Sequence, residues 1–158
     1  ADKVILGSNC LEQTSIINNI SKKYGNQSII QSIDCIKNFE TKNKYNVMKN
    51  SGKFFLNNDP LKSCQKAILN GAGEILVNSI DNDGSLLGYD LDLISHISKK
   101  IRCPILALGG AGNWQHILDL FLKTDISGAC TQNIFHFTEE SILSAKNFLK
   151  SNNIKVRK

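Results

Sequence analysis

Short apolar runs alternate with amphipathic stretches along most of this 158-residue chain. The clearest run covers residues 74–80, which are mostly apolar and β-prone and follow the turn residues Gly71 and Gly73. Such a run predicts a strand covered on both faces. A polar loop over 81–85 comes next, and Asp90 can then cap a helix whose apolar residues recur with a 3.6-residue period. Strand, polar loop and helix form a βα unit, whose functional residues usually lie on the loop.

The same pattern recurs on both sides of this unit. Further strands are predicted over the ranges 1–8, 28–33, 104–108 and 128–131. Further helices are predicted to begin at the N-caps Thr14, Asp59, Asn113 and Thr138. Residues 39–55 indicate a hairpin-like excursion that turns at Gly52. The last helix is predicted to bury Ile142, Leu143, Ala145, Phe148 and Leu149.

Strands and helices therefore alternate, which predicts an α/β fold with a parallel sheet. About five βα units fit into the chain, whereas a closed (β/α)8 barrel has eight units and about 250 residues. Two architectures satisfy the pattern: a flavodoxin-like open sheet, or the later part of a (β/α)8 TIM barrel. No repeat or low-complexity stretch divides residues 1–158, which predicts a single domain.

Composition and charge narrow the classes of function. Hydrophobic residues make up 41% of the chain and charged residues 21%, as in ordinary soluble proteins, and no apolar run approaches membrane length. The net charge of +5 comes from scattered lysines, which favours solvated helix faces over a nucleic-acid surface and is compatible with an anionic substrate. The five cysteines are widely spaced, which predicts reduced thiols in the cytoplasm. Neither the cysteines nor the three histidines have metal-ligand spacing, so no metal site is expected.

Three predicted strand ends carry residues suited to chemistry. Asp34 follows the strand over 28–33, where a carboxylate can serve as a general acid or base, or can simply cap a helix. The loop over 81–85 holds two carboxylates beside Gly84. Residues 109–113 form a glycine-rich turn that opens a helix. Such a turn either binds an anion through backbone N–H groups or only supplies the turn geometry, and the residues leave both alternatives open.

From end to end the chain resembles one family, the cyclase subunit of imidazole glycerol phosphate synthase. The matching segments follow the family's order and spacing, which is more specific than any single glycine loop. They are Ala1-Asp2-Lys3-Val4, Ser32-Ile33-Asp34, Gly71-Ala72-Gly73-Glu74-Ile75-Leu76, Ser79-Ile80-Asp81, Asp83-Gly84, Gly88-Tyr89-Asp90, Gly109-Gly110-Ala111-Gly112, Phe135-His136-Phe137 and Val156-Arg157.

The resemblance implies a (β/α)8 barrel of the ribulose-phosphate-binding type, with its active site at the C-terminal face. The family takes ammonia from a glutaminase partner, binds a bis-phosphorylated ribonucleotide, and needs no cofactor. Asp34 matches one of its two catalytic aspartates. The other has no counterpart, because the chain begins at what would be strand four. About three βα units would then be missing, and the fragment alone is expected to be inactive.

The resemblance also assigns further site residues. The predicted substrate and phosphate contacts are Gly7, Ser8, Asp83, Gly84, Gly109, Gly110, Gln132 and Asn133. Lys3 and Glu74 begin their strands and point inward by strand parity, so they form either a structural salt bridge or part of a gate for ammonia. Asp2 would then contact the glutaminase.

Several positions depart from the usual cyclase. Leu108 and Gln132 stand at phosphate-loop positions that are usually small, Asn82 replaces a basic residue, and Gly7 replaces an asparagine. This pattern is similar to cyclase-like paralogues that relay ammonia during sugar amidation in surface-polysaccharide pathways. A non-catalytic barrel fragment is the third alternative. Gln31 is a further oddity, because strand parity turns its amide toward the helices.

Overall fold

In the computed structural model of the protein, the residues described are 1–40, 44–50, 52–56, 58–132, 134 and 141–157. Their strands are β1 (Val4–Leu6), β2 (Ile29–Lys37), β3 (Tyr45–Lys49), β4 (Phe54–Phe55), β5 (Glu74–Ser79), β6 (Ile105–Leu108) and β7 (Gly128–Cys130). Their α-helices are α1 (Thr14–Tyr24), α2 (Pro60–Leu69), α3 (Leu91–Ser98), α4 (Trp114–Lys123) and α5 (Ile142–Ser151). A short 3-10 helix, Ser8–Leu11, follows β1.

Five strands lie parallel in the spatial order β1-β2-β5-β6-β7, which is their order along the chain apart from the β3–β4 hairpin. The predicted α/β fold is therefore confirmed. A flavodoxin-like sheet has the order 2-1-3-4-5, so its first strand would lie inside the sheet rather than at one end. The sequential order observed here is instead that of consecutive strands in part of a (β/α)8 barrel.

Strand β2 is longer than predicted. It continues through Asp34 to Lys37, so Asp34 lies inside the strand and not after it. The predicted excursion is the hairpin β3–β4, and β3 pairs antiparallel with residues 34–37. Because the antiparallel partner satisfies the backbone beyond Ile33, the strand persists where an ordinary parallel strand would end.

The helices cover one face of the sheet. The side chains of Ile29, Ile33, Ile75, Val77 and Ala107 are fully buried on this face. Ile5 lies on the opposite face and is 59% exposed, and Leu106 and Leu108 of β6 are only partly covered there. The open face is the one that carries Asp34, because the strand register aligns Asp34 with Asn78 and Asn78 with Leu108.

Most of the predicted helix starts are confirmed. Side chains of Asp59, Asp90 and Asn113 accept hydrogen bonds from the backbone N–H groups of the first turns of α2, α3 and α4. Thr14 is instead the first helical residue of α1, and Gln13 occupies the N-cap without a side-chain cap. No helix among the described residues is long and apolar enough to cross a membrane.

The start of the last helix differs from the prediction. Thr138 lies outside the described residues, and Ser141 caps α5 in a reciprocal capping box with Ser144. The helix packs through Ala145 and Leu149, whereas Ile142 and Leu143 are 62% and 66% exposed. These two residues were predicted to be buried. Both lie in the first turn of α5, and no described element covers that turn.

Candidate functional site

Asp34 presents its carboxylate on the open face of the sheet. Its Oδ1 accepts hydrogen bonds from Ser32 Oγ and from Asn78 Nδ2, each at 3.1 Å. Since a carboxylate only accepts, this contact fixes which way the Asn78 amide points. Asp34 also lines a cavity of about 350 Å³ with Asn78, Ile80 and Asp83. The carboxylate is thus anchored by neutral donors and reaches open space, as a proton-transfer group requires.

Ser8, which follows β1, contacts the backbone of Asp34. Ser8 Oγ accepts a hydrogen bond from Asp34 N at 2.8 Å and donates to Ser32 O at 3.3 Å. Ser8 is only 2% exposed, so its hydroxyl serves the backbone of β2 in this structure. A Cβ on Gly7 would meet nothing within 4 Å, so Gly7 borders open space.

A second cavity of about 220 Å³ lies at the ends of β5, β6 and β7. It brings together five of the residues predicted to bind phosphate, together with four neighbours. The lining residues are Asp83, Gly84, Leu108, Gly109, Gly110, Ala111, Cys130, Thr131 and Gln132. Asn133, predicted for the same site, lies outside the described residues. Asp83 lines both cavities, so they adjoin.

The glycine turn after β6 requires glycine for two reasons. Gly109 and Gly110 have φ angles of +99° and +104°, which side-chain-bearing residues rarely adopt. A Cβ on Gly110 would overlap the Gly88 carbonyl oxygen. The N–H groups of Gly110 and Ala111 donate to no other described residue. Both residues line the cavity, and backbone N–H groups of such a turn can hold an anion without a cationic side chain.

Polar side chains lock the glycine turn to the loop after β5. Gly88 N donates to Gly110 O at 2.7 Å, and Asn82 Nδ2 donates to Gly88 O at 2.8 Å. Behind the turn, His116 Nδ1 accepts from Gly112 N at 3.1 Å. The role of Asn82 is not apparent from the sequence. Its replacement of a basic residue was visible, but its partner is a carbonyl that only the folded loop brings near.

The β2–β3 hairpin is tied to the same loop by two carboxylates. Lys37 N donates to Asp81 Oδ2 at 2.6 Å, and Tyr45 Oη donates to Asp90 Oδ1 at 2.9 Å. Lys37 Nζ lies 3.3 Å from Asp90 Oδ2, and the Asp90 side chain is only 3% exposed. Burial, followed by the hydrogen bond to Asp90, raises the pKa of Tyr45 well above its usual value. The hairpin and the cavity wall are therefore joined by two hydrogen bonds and an ion pair.

Lys3 and Glu74 form an ion pair at the opposite ends of the strands, a contact that fits both the structural salt bridge and the ammonia gate left open by the sequence. Their side chains are 42% and 17% exposed, so the pair is partly solvated. Glu74 begins β5 and Asn78 lies near its end, which puts the ion pair and the Asp34 cavity at opposite ends of one strand. Asp2 is exposed beside Lys3.

The cysteines and the possible metal ligands of the described residues were compared with what thiol or metal chemistry requires. Cys130 lines the anion cavity, but burial raises the pKa of its thiol and so disfavours the nucleophilic thiolate. Burial likewise raises the pKa of the Cys64 thiol to about 12. Within the described ranges, no three His, Cys, Asp or Glu side chains are grouped as metal ligands would be.

Comparison with known proteins agrees with this geometry. The chain is 37% identical over 157 residues to the imidazole glycerol phosphate synthase subunit HisF of Bacillus cereus, and 39% identical over 157 residues to that of Hydrogenobaculum sp.. Each alignment covers 99% of this chain and 62% of the relative, so the chain spans about three fifths of the length of these relatives. The family model described as "Histidine biosynthesis protein" matches residues 1–141. The chain therefore belongs to the histidine biosynthesis protein family and is HisF-like within it.

Proposed function

We propose that this chain is part of a cyclase subunit of imidazole glycerol phosphate synthase, which uses ammonia to close the imidazole ring of imidazole glycerol phosphate. The observation that carries the proposal is the adjacency of the two cavities. One contains the anchored Asp34 carboxylate, the other offers backbone donors for an anion, and Asp83 lines both. A phosphorylated substrate with its reacting end at Asp34 and one phosphate at the glycine turn fits this arrangement.

The phosphate would be held mainly by backbone amides. Hydrogen bonds to a charged acceptor contribute about 1.5–3 kcal/mol each. The N–H groups of Gly110 and Ala111 are free of other described partners, and α4 begins three residues beyond Ala111 with its dipole favouring negative charge. The Asp83 carboxylate cannot donate to a phosphate, so its role would be to accept a substrate hydroxyl.

Asp34 would act as the general acid and base. An attacking ammonia nitrogen must lose protons, and a departing nitrogen must gain one, so a single carboxylate can serve both steps by alternating its protonation. The donors Ser32 Oγ and Asn78 Nδ2 both bind Oδ1. Oδ2 is thereby left to face the substrate.

The ammonia would come from a glutaminase partner docked at the other end of the barrel. Lys3 and Glu74 form their ion pair there, with the exposed Asp2 beside them. A partly solvated pair can open at low cost, because exposed ion pairs stabilise a protein by only about 0–1 kcal/mol. We therefore assign Lys3 and Glu74 to the ammonia entrance and Asp2 to the contact with the partner.

One observation favours a second candidate, the relay of ammonia in a sugar-amidating system. Leu108 and Gln132, at phosphate-loop positions that are usually small in the cyclase, both line the anion cavity. Calorimetric titration with a bis-phosphorylated ribonucleotide distinguishes the candidates. The cyclase requires binding that is lost in Gly110→Ala, whereas a relay that does not bind this ligand gives no heat in either protein.

The cyclase is tested by replacing Asp34 with asparagine in the protein as the cell makes it, with ammonia supplied directly. Loss of a positioned acid or base lowers turnover about 10²–10⁴-fold, with substrate affinity little changed. The exposed Asp92 in the first turn of α3 is the matched control, and Asp92→Asn should keep full turnover. Turnover in Asp34→Asn equal to that of the control would remove Asp34 from the mechanism.

A further inference from the structure

One edge of β2 pairs first with β1 and then, from Asp34 onward, with β3. On that edge β1 pairs with Ile29, Ile30 and Gln31, and β3 takes over at Asp34. No strand pairs with Ser32 and Ile33 there, although this stretch is among the most buried parts of the described chain. Buried backbone groups need partners, so something other than a strand must satisfy this gap.

Two side chains fill the gap. Ser8 Oγ stands in for a strand by accepting from Asp34 N at 2.8 Å and donating to Ser32 O at 3.3 Å. Gln31 Nε2 lies 3.0 Å from Leu6 O, 3.1 Å from Gly7 O and 2.8 Å from Ser32 O. The glutamine thus holds the end of β1, which carries Ser8, against β2.

Ser8 and Gln31 are both buried, so their side chains are not exposed to a ligand in this structure. Gln31 is 0% exposed and lies on the helix-covered face among Ile29 and Ile33. Its Oε1 has no hydrogen-bond partner among the described residues. A buried amide with an unmade hydrogen bond costs free energy, and an aliphatic residue would pack better there. The benefit of a glutamine here therefore lies in the hydrogen bonds that its Nε2 donates, and not in packing.

We propose that Gln31 and Ser8 are positioning residues for Asp34, acting together as a side-chain substitute for the missing strand. This inference rests on the proposed role of Asp34. Ser32 Oγ and Asn78 orient the carboxylate, while Ser8 fixes the backbone N–H of the same residue and Gln31 fixes Ser8. The Ser8 hydroxyl can hold the Asp34 backbone only while the end of β1 stays in place. Gln31 holds that end, so Ser8 and Gln31 act together.

Ser8→Thr and Ser8→Val provide a matched pair, because the two variants have the same shape and differ only in the hydroxyl. With ammonia supplied, we expect Ser8→Thr to keep kcat within about twofold. Ser8→Val should lower kcat roughly 10–100-fold with KM unchanged, because a small displacement of a catalytic group costs up to about 10²-fold. Gln31→Leu should resemble Ser8→Val, and the double variant should be no slower than the slower single one, as coupled residues require. Ser8→Ala repeats the test without the added methyl groups should Ser8→Val fail to fold.

Two results would overturn the proposal. A raised KM with unchanged kcat in Ser8→Val would make the hydroxyl a ligand contact, and equal kcat in Ser8→Val and Ser8→Thr would leave it a purely structural role. Amide hydrogen exchange at Asp34 gives a readout that is independent of turnover. Protection should persist in Ser8→Thr and fall at least tenfold in Ser8→Val, and equal protection would refute the Ser8 contact. An inactive wild-type protein with the expected exchange pattern would overturn the proposed function but not this contact.

Discussion

Gly110 is the residue on which the shape of the anion cavity depends most directly, and Gly110→Ala tests it. Two physical costs add in this variant. A non-glycine residue at φ +104° is strained by about 1–3 kcal/mol. The new Cβ would also overlap the Gly88 carbonyl oxygen, which accepts from Asn82 Nδ2 and cannot withdraw without breaking that bond. Forced overpacking of this kind costs about 1–3 kcal/mol.

The expected loss of unfolding free energy is therefore about 2–6 kcal/mol, a large part of the 5–15 kcal/mol typical of a folded protein. In a chain of this size it would lower Tm by roughly 5–20 °C. Trp114 is the only tryptophan of the sequence and is 9% exposed at the start of α4, directly after the glycine turn. Its fluorescence during urea unfolding reports on this region.

Gly7→Ala is the matched control for Gly110→Ala. Gly7 has φ −70° and open space where a Cβ would lie, so alanine there should be neutral or stabilise by up to about 1 kcal/mol through the unfolded state. Added phosphate should raise the urea concentration at which the Trp114 fluorescence of the wild-type protein changes. This stabilisation by phosphate should be lost in Gly110→Ala. Equal stability of the two variants would refute the left-handed turn and, with it, the cavity built on the turn.

Three further predictions concern other parts of the chain. Glu74→Ala should slow glutamine-dependent turnover more than ammonia-dependent turnover, and equal losses would leave the Lys3 ion pair a structural role only. The raised pKa of Tyr45 means that only the unfolded state ionises near pH ~10, so stability should fall as pH rises above that value. Tyr45→Phe should flatten this fall in alkaline urea titrations, and an unchanged slope would contradict it. The buried thiols of Cys35 and Cys64 should resist a thiol reagent at pH 8 until denaturant is added, whereas the partly exposed Cys10, Cys103 and Cys130 can react in the native protein. Labelling of Cys35 or Cys64 in the native protein, located by peptide mapping, would refute their burial.

The elements that the sequence predicted well are those set by local chemistry. The strand at 74–80 and the helix after Asp59-Pro60 need only an apolar run or a cap with proline to be recognised. Asp34 was placed after its strand because the sequence shows no reason for a strand to continue past it. That reason is the pairing with β3, which begins eleven residues further along the chain. Pairing between distant segments does not leave a local pattern.

The roles of individual polar residues were less predictable still. Strand parity alone marks Gln31 as unusual, but its acceptors at Leu6 and Gly7 lie 25 and 24 residues away. Ser8 was assigned to the ligand from the resemblance, whereas the structure engages its hydroxyl with the backbone of β2. Both contacts depend on where β1 stops, and an apolar run does not define its own last residue to that accuracy.

Four carboxylates lie near the C-terminal end of β5, and their contacts divide them into two groups. Asp81 and Asp90 accept hydrogen bonds from the β2–β3 hairpin, so one oxygen of each carboxylate holds the loop after β5. Asp34 and Asp83 line the cavities instead. Asp81 and Asp90 flank Asp83 in sequence, so the segment that carries Asp83 is attached to the hairpin on both sides. The carboxylates that hold the loop thereby determine which carboxylates remain free to meet a ligand, and they do so without contacting the ligand themselves.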